Sequence, residues 1–331
     1  MKNIYSLIIC ITLMSSCAAT ELGSLVYTGY GSISYSNAAN QAYEAIIKET
    51  GLKSADLLYT CYVADEFDHK INCSSEDSPK EKNFINLAKK LKKAGYHITL
   101  RIYVDLQNQK WRAFWHPKEI KLAFLELEKT LNHYASVAGQ VKADTLLIGS
   151  EYEKLTQPKY LPYWKKLIKS TREKFSGKII YAANGNINKG KKPEYTWVPF
   201  WDLLDNIGIN YYPPFKGKPN KSTLSKHHKR ELKKYVKFVT GFKKPLSITE
   251  VGFPLAESGL KTPYKWEYPK KERPNSSLRV LSFKTFLKEA HKLNIYNINL
   301  WRFLPNEEKY HPNGYVIDKA FLAEISLLNR K

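Results

Sequence analysis

Two glutamates in this chain stand where a buried strand ends. Thr145–Thr156 reads T-L-L-I-G-S-E-Y-E-K-L-T: four uncharged residues, then Gly149 and Ser150, then Glu151. A run without charge marks a strand buried on both faces. Pro245–Pro254, P-L-S-I-T-E-V-G-F-P, repeats the arrangement and delivers Glu250 before glycine and proline turn the chain. A carboxylate at the mouth of a buried strand is costly unless it is paired or used. Two carboxylates facing one another across a cleft can hydrolyse a glycosidic bond, one supplying a proton and the other attacking the sugar or activating water. Either glutamate alone would be accounted for by an ion pair with a barrel arginine such as Arg101 or Arg302. Both together, at matching strand exits, favour chemistry.

The elements that must position them alternate along the chain. Apolar runs at Leu25–Tyr30, Ala55–Val63, His97–Asp105, Thr145–Ile148, Lys178–Ala183, Leu203–Tyr211, Leu246–Glu250 and Tyr296–Arg302 read as strands. Between most of them lie helical stretches. In Lys80–Ala94, for example, Phe84, Leu87, Ala88 and Leu91 recur at helical spacing before Gly95 stops the helix. Strands separated by helices in this way predict an α/β fold, a single-domain (β/α)8 TIM barrel. A doubly wound sheet is the runner-up, but Gly29-Tyr-Gly31-Ser-Ile-Ser34 lacks the third glycine of a dinucleotide loop. In such a barrel the active site lies at the C-terminal strand ends. Reading those ends gives Asp105, Glu151, Asn184, Tyr211, Glu250 and Trp301. This is a carbohydrate-type inventory of carboxylates, hydrogen-bonding side chains and aromatic rings.

The N-terminus is set apart from the fold. Lys2 is the only charge in residues 1–16, and Ile4–Met14 is nearly all apolar, too short to span a bilayer and suited to a secretory signal. Leu13-Met-Ser-Ser-Cys17 resembles a bacterial lipoprotein signal, which implies lipidation of Cys17 and a mature catalytic domain over residues 17–331. Ordinary cleavage near Ala18-Ala19 is the alternative. Export leaves Cys61 and Cys73, expected to pair in an oxidising compartment.

The 331 residues carry 53 basic and 31 acidic side chains, a net +22, with 13% aromatic content that excludes a disordered chain. Lysine pairs such as Lys89-Lys90, Lys165-Lys166 and Lys233-Lys234 are spread along helices, with no nucleic-acid motif among them. They read as a solvated surface that would sit comfortably near an anionic envelope. The histidines have no metal-ligand spacing, and no G-x-S-x-G elbow is present. No metal, cofactor or nucleic acid is expected, and the protein is expected to be a monomer.

The segments Ile102-Tyr-Val-Asp105, Ile148-Gly-Ser-Glu151, Trp201-Asp-Leu-Leu-Asp-Asn-Ile-Gly-Ile-Asn-Tyr-Tyr-Pro213 and Ile248-Thr-Glu-Val-Gly-Phe-Pro254 together resemble glycoside hydrolase family 113. That family belongs to the β-mannanase-like barrels of clan A, related to the barrel domain of gene transfer agents. The resemblance implies Glu151 as acid/base, Glu250 as nucleophile and Trp301 as a platform under the sugar. It implies a retaining hydrolase of a β-linked polysaccharide, mannan being the family-based expectation. Ser150 stands where many relatives have asparagine, which touches the subsite contacts and not the acid role.

Bland readings accompany these assignments. Trp301 is equally a core aromatic, and Asp105 and Asn184 are residue types common at strand exits. Tyr211 is expected to orient Glu250 through its hydroxyl. Trp111 and Trp115 read as a packed loop in preference to an extension of a glycan cleft, and Glu153 as part of the loop after Glu151. Glu151 is expected to be the carboxyl held protonated. The alternative function is a non-catalytic, glycan-binding or structural lipoprotein of the cell envelope.

Overall fold

The computed structural model describes residues 22–186, 192–295 and 297–329; the leader 1–16 and Cys17 lie outside them. Eight parallel strands hydrogen-bond in sequence order and close on themselves: β1 (Leu22–Tyr27), β2 (Ser54–Val63), β3 (His97–Leu106), β4 (Thr145–Ser150), β5 (Lys178–Asn184), β6 (Asn206–Tyr211), β7 (Leu246–Gly252) and β8 (Ile298–Phe303). The (β/α)8 barrel expected from the alternation is therefore the observed fold. Side-chain alternation sorts the apolar residues into two clusters. Val26, Leu58, Leu147 and Ile180 point into the barrel with Tyr103 and Tyr212. Their neighbours Leu25, Leu57, Leu146 and Ile179 point outward, beneath the helices. This double burial is why the strands read as unbroken apolar runs.

The helices are α1 (Asn37–Thr50), α2 (Glu81–Lys93), α3 (Ile120–Gln140), α4 (Leu161–Lys174), α5 (Lys221–Thr240), α6 (Ser276–Lys292), the short α7 (Glu307–Tyr310) and α8 (Lys319–Asn329). Their ends follow local chemistry. Ser36 accepts the Ala39 N–H at the start of α1, and Gly51 closes that helix at φ 69°. Asn220 and Thr223 form a reciprocal cap on α5. Between β5 and β6 the described residues hold only the 3-10 turns Glu194–Thr196 and Trp201–Leu203, which bury Glu194, Tyr195 and Trp201. This connection thus contributes to the core. Among the described residues no helix is long and apolar enough to cross a membrane.

Cys61 and Cys73 are joined in a disulfide, as their pairing in the sequence led one to expect. It ties the end of β2 to the loop that follows, beside an antiparallel bridge between Tyr62 and Asn72. The strand ladders slip near the barrel mouth. The β4–β5 register shifts between Leu147 and Ser150, and the β6–β7 register shifts between Ile209 and Asn210. Bulges of this kind re-aim the side chains that follow them.

Candidate active site

The turn that delivers Glu151 depends on Gly149. Its φ of 146° lies where side chains are disfavoured, and a Cβ there would come within 2.4 Å of the Tyr152 ring. Glu151 itself takes a left-handed φ of 56°. That conformation persists in a non-glycine residue only when the surroundings impose it. Here the Glu151 N–H donates to the Ala182 carbonyl at 2.9 Å, and the Tyr152 N–H donates to the Tyr181 hydroxyl at 2.7 Å.

Both glutamates line one cavity of about 740 Å³ at the C-terminal barrel mouth, together with Asp105, Asn184 and Trp301. Glu151 accepts Asn210 Nδ2 at 2.9 Å on one oxygen and Trp111 Nε1 at 2.8 Å on the other. Glu250 accepts the Tyr103 hydroxyl at 2.6 Å and the Tyr212 hydroxyl at 3.1 Å, one on each oxygen. Arg101 lies beneath, 3.6 Å from Glu250. Its main partner is the fully buried Asp56, which also takes a hydrogen bond from Asn299 at 2.9 Å. Arg302 is committed to Glu307 through two bonds of 3.0 Å. Neither arginine therefore absorbs a glutamate as a simple ion-pair partner.

Arg112 is the cation between the two sides of the mouth. It holds Asp105 at 2.5 and 3.1 Å, stands 3.7 Å from Glu151 and lies 4.4 Å over the Tyr103 ring. Burial and the charge of Glu151 push the Glu250 carboxyl up to about 7, while Arg101, Arg112 and the Tyr103 hydroxyl pull it down. The Glu250 carboxyl is thus raised in the free site. The physical reason is depth: Glu250 is enclosed by the tyrosines of β3 and of the turn after β6.

Tyr211 does not orient Glu250. Its ring lies on the outer face of β6, where its hydroxyl meets His228 Nδ1 at 2.8 Å among Tyr235 and Phe286. Residues of opposite parity face the cavity instead: Asn210 reaches Glu151, and Tyr212 reaches Glu250. Asn184 donates to Glu153 at 2.9 Å, and its N–H donates to Glu194 at 2.7 Å. Trp301 packs with Tyr212 and Tyr315 in the inner cluster while lining the cavity wall. Trp115 is buried in the loop, as expected, but Trp111 is not a mere packing residue, because its indole holds Glu151. Tyr103 was legible as the residue two before Asp105 on the same strand face. Trp111 carries no comparable local signal.

The sequence profile of Glycoside Hydrolase Family 113 matches residues 28–299, most of the chain. The chain belongs to glycoside hydrolase family 113. Solved structures share its fold. A family 113 β-1,4-mannanase superimposes with a TM-score of 0.80 at 16% identity, covering 95% of this chain and 99% of that one. The family 113 β-mannanase from Alicyclobacillus acidocaldarius, solved in complex with ManMIm, gives 0.78 at 16% identity, covering 96% and 98%. A structure of fungal β-1,4-galactanases gives 0.58 at 15% identity, covering 95% and 100%. A comparison with curated proteins finds no match. Among the described residues of this family 113 barrel, no group of three or more His, Cys, Asp or Glu side chains is placed to hold a metal ion.

Proposed function

We propose that this family 113 protein is a retaining glycosidase of a β-linked, mannose-containing polysaccharide, with Glu250 as nucleophile and Glu151 as acid/base. The observation that carries the reading is the difference between the two carboxylate environments inside one cavity. Glu250 receives two tyrosine hydroxyls above a buried arginine, a setting that stabilises an attacking anion. Glu151, on the turn after β4, receives an amide and an indole donor instead of hydroxyls, with Arg112 3.7 Å away.

In the first step Glu250 bonds to the anomeric carbon as the glycosidic C–O bond breaks, and Glu151 gives its proton to the departing oxygen. In the second, water attacks the same carbon, its proton passes to Glu151, and Glu250 leaves as carboxylate. The reacting form has one proton on the pair, residing on Glu151. Once Glu151 is neutral, its charge no longer raises Glu250, and burial is then opposed by Arg101, Arg112 and the Tyr103 hydroxyl, which favour the ionised form. Mannan as substrate is supported by the family and by the β-mannanases that share the fold.

We further propose that the enzyme acts outside the cytoplasm, tethered through a lipid on Cys17. The apolar run before Cys17 supports this, as does the Cys61–Cys73 disulfide, a bond that persists in oxidising compartments. A hydrolysis screen over mannan, glucan, xylan and peptidoglycan fragments, with product anomers read by NMR, tests the function. Mannan cleavage with retained configuration is expected, and turnover should vanish in Glu250→Ala. A wild type that binds glycans but cleaves none of them would favour the non-catalytic alternative. Inverted products would remove Glu250 as nucleophile.

A further inference from the structure

Glu194 is a fully buried carboxyl that the two-step reaction does not use. Three donors converge on it: the Tyr181 hydroxyl at 2.8 Å and the Thr156 hydroxyl at 2.9 Å on Oε1, and the Asn184 N–H at 2.7 Å on Oε2. Each contact leads back to the barrel mouth. The Tyr181 oxygen that donates to Glu194 also accepts the Tyr152 N–H at 2.7 Å, the peptide immediately after Glu151. Thr156 closes the same turn, its N–H donating to the Tyr152 carbonyl at 3.0 Å. Asn184 carries its own amide to Glu153 at 2.9 Å, on the far side of that turn.

The turn needs such a hold. Glu151 occupies a left-handed φ of 56°, a conformation that is unfavourable for a non-glycine residue and relaxes unless neighbouring structure fixes it. We infer that Glu194 is a positioning residue for glycosidic cleavage: acting through Tyr181, Thr156 and Asn184, it holds the Glu151 turn so that the acid/base carboxyl faces the leaving oxygen. The inference rests on the reading of Glu151 as acid/base. A carboxyl suits the task because its two oxygens can accept from donors arriving from separate elements. An apolar side chain of similar volume can accept from none of them.

Glu194→Met and Tyr181→Phe test this in the full-length protein, the second removing a single oxygen and sparing the fold if the first does not. On unactivated β-linked oligosaccharide, kcat/KM should fall about 10- to 100-fold in either variant, as expected when a proton donor is misplaced. On an aryl β-glycoside with a good leaving group, whose departure needs no proton, the loss should stay within about threefold. The double variant should lose no more than the more impaired single, since both act along one chain of contacts. Equal losses on both substrates would mean a general structural role and overturn the inference. Backbone hydrogen exchange over 147–155 gives a readout free of activity. Exchange about tenfold faster in both variants, at matched global stability, is expected. Unchanged exchange in both would overturn the inference. Should the wild type cleave no β-glycoside, the functional reading falls, and the exchange measurement still decides whether Glu194 holds the turn.

Discussion

Asn210 Nδ2 lies 2.9 Å from Glu151 Oε1, and the amide is fixed from behind by the Thr249 hydroxyl, which donates to Asn210 Oδ1 at 2.8 Å. Thr249, the neighbour of Glu250 on β7, thus orients the residue that holds Glu151 at the end of β4. The same amide stands 3.2 Å from the Ser150 hydroxyl. In this chain, then, an asparagine on β6 reaches both Glu151 and the residue before it.

Asn210→Asp removes the donor and places a negative charge against Glu151. A hydrogen bond to a charged group contributes roughly 1.5–3 kcal/mol, so kcat/KM is expected to fall at least about 10-fold, with further loss from charge repulsion. Thr249→Val keeps the amide but frees it to rotate, and a smaller loss is expected. Steady-state kinetics on one oligosaccharide measures both. A Thr249→Val loss exceeding that of Asn210→Asp would contradict the proposed order of support.

The two tyrosines on Glu250 should separate in their effects. Tyr103 donates at 2.6 Å and also accepts Arg101 at 2.8 Å, whereas Tyr212 donates at 3.1 Å from the turn after β6. Tyr103→Phe is expected to lower kcat by about 100-fold, within the range seen when one donor to a reacting oxygen is lost. Tyr212→Phe should cost about tenfold or less, its bond being longer. Equal rates for both variants and wild type would remove the hydroxyls from the mechanism.

The barrel was legible in the sequence because double burial leaves a plain mark: the strands are short, largely apolar runs, and several end at or beside a polar residue. Glu151, Asp105 and Asn184 could be read from that rule, and all three line the cavity. Tyr211 was misread by one position. The β6–β7 ladder slips at Ile209/Asn210, and the polar side chains that matter fall on Asn210 and Tyr212. A sequence shows period-two alternation but not which parity faces inward after a bulge. Glu194 was missed, and Trp111 was read only as loop packing, for another reason. Both come from irregular loops that fold back over the mouth, and no periodicity records where such a loop returns.

Cys61 and Cys73 predict a loss of stability on reduction. A bond closing a short loop contributes roughly 2–4 kcal/mol in the chain-entropy view. The double Cys61→Ala, Cys73→Ala variant should unfold at lower urea with the fold retained. Its midpoint should not respond to reductant, while the wild-type midpoint should drop. Two reactive thiols at these positions in denatured, unreduced protein would overturn the pairing.

The proposed lipidation at Cys17 predicts partition with membranes. One acyl chain binds only marginally, so stable attachment requires the several chains of a bacterial lipoprotein. Cys17→Ser should move the protein from the membrane fraction to the soluble one after export, with activity per molecule unchanged. A wild type that is already fully soluble would remove the anchor.

Glu250 also predicts how stability changes with pH. Burial and the Glu151 charge raise its carboxyl from the ordinary 4.5 to about 7. Below 4.5 the folded and unfolded chains both keep the proton, and Glu250 contributes no difference. Between 4.5 and about 7 the unfolded chain has released it and the folded chain has not, so stability falls with rising pH. Above about 7 the folded carboxyl ionises as well, and the full penalty stays in place. Glu194, raised by burial to about 8, works in the same direction over a longer window. Asp144 and Glu231, lowered mainly by partners such as Lys92 and Lys234 against the cost of their burial, work the other way and lose their contribution as the pH falls. Glu250→Gln cannot ionise. Its urea midpoint should therefore exceed that of the wild type by more at pH 8 than at pH 4, while its turnover is lost. A gap that is constant between pH 4 and pH 8, or larger at pH 4, would show that Glu250 is not the carboxyl whose proton the folded chain retains.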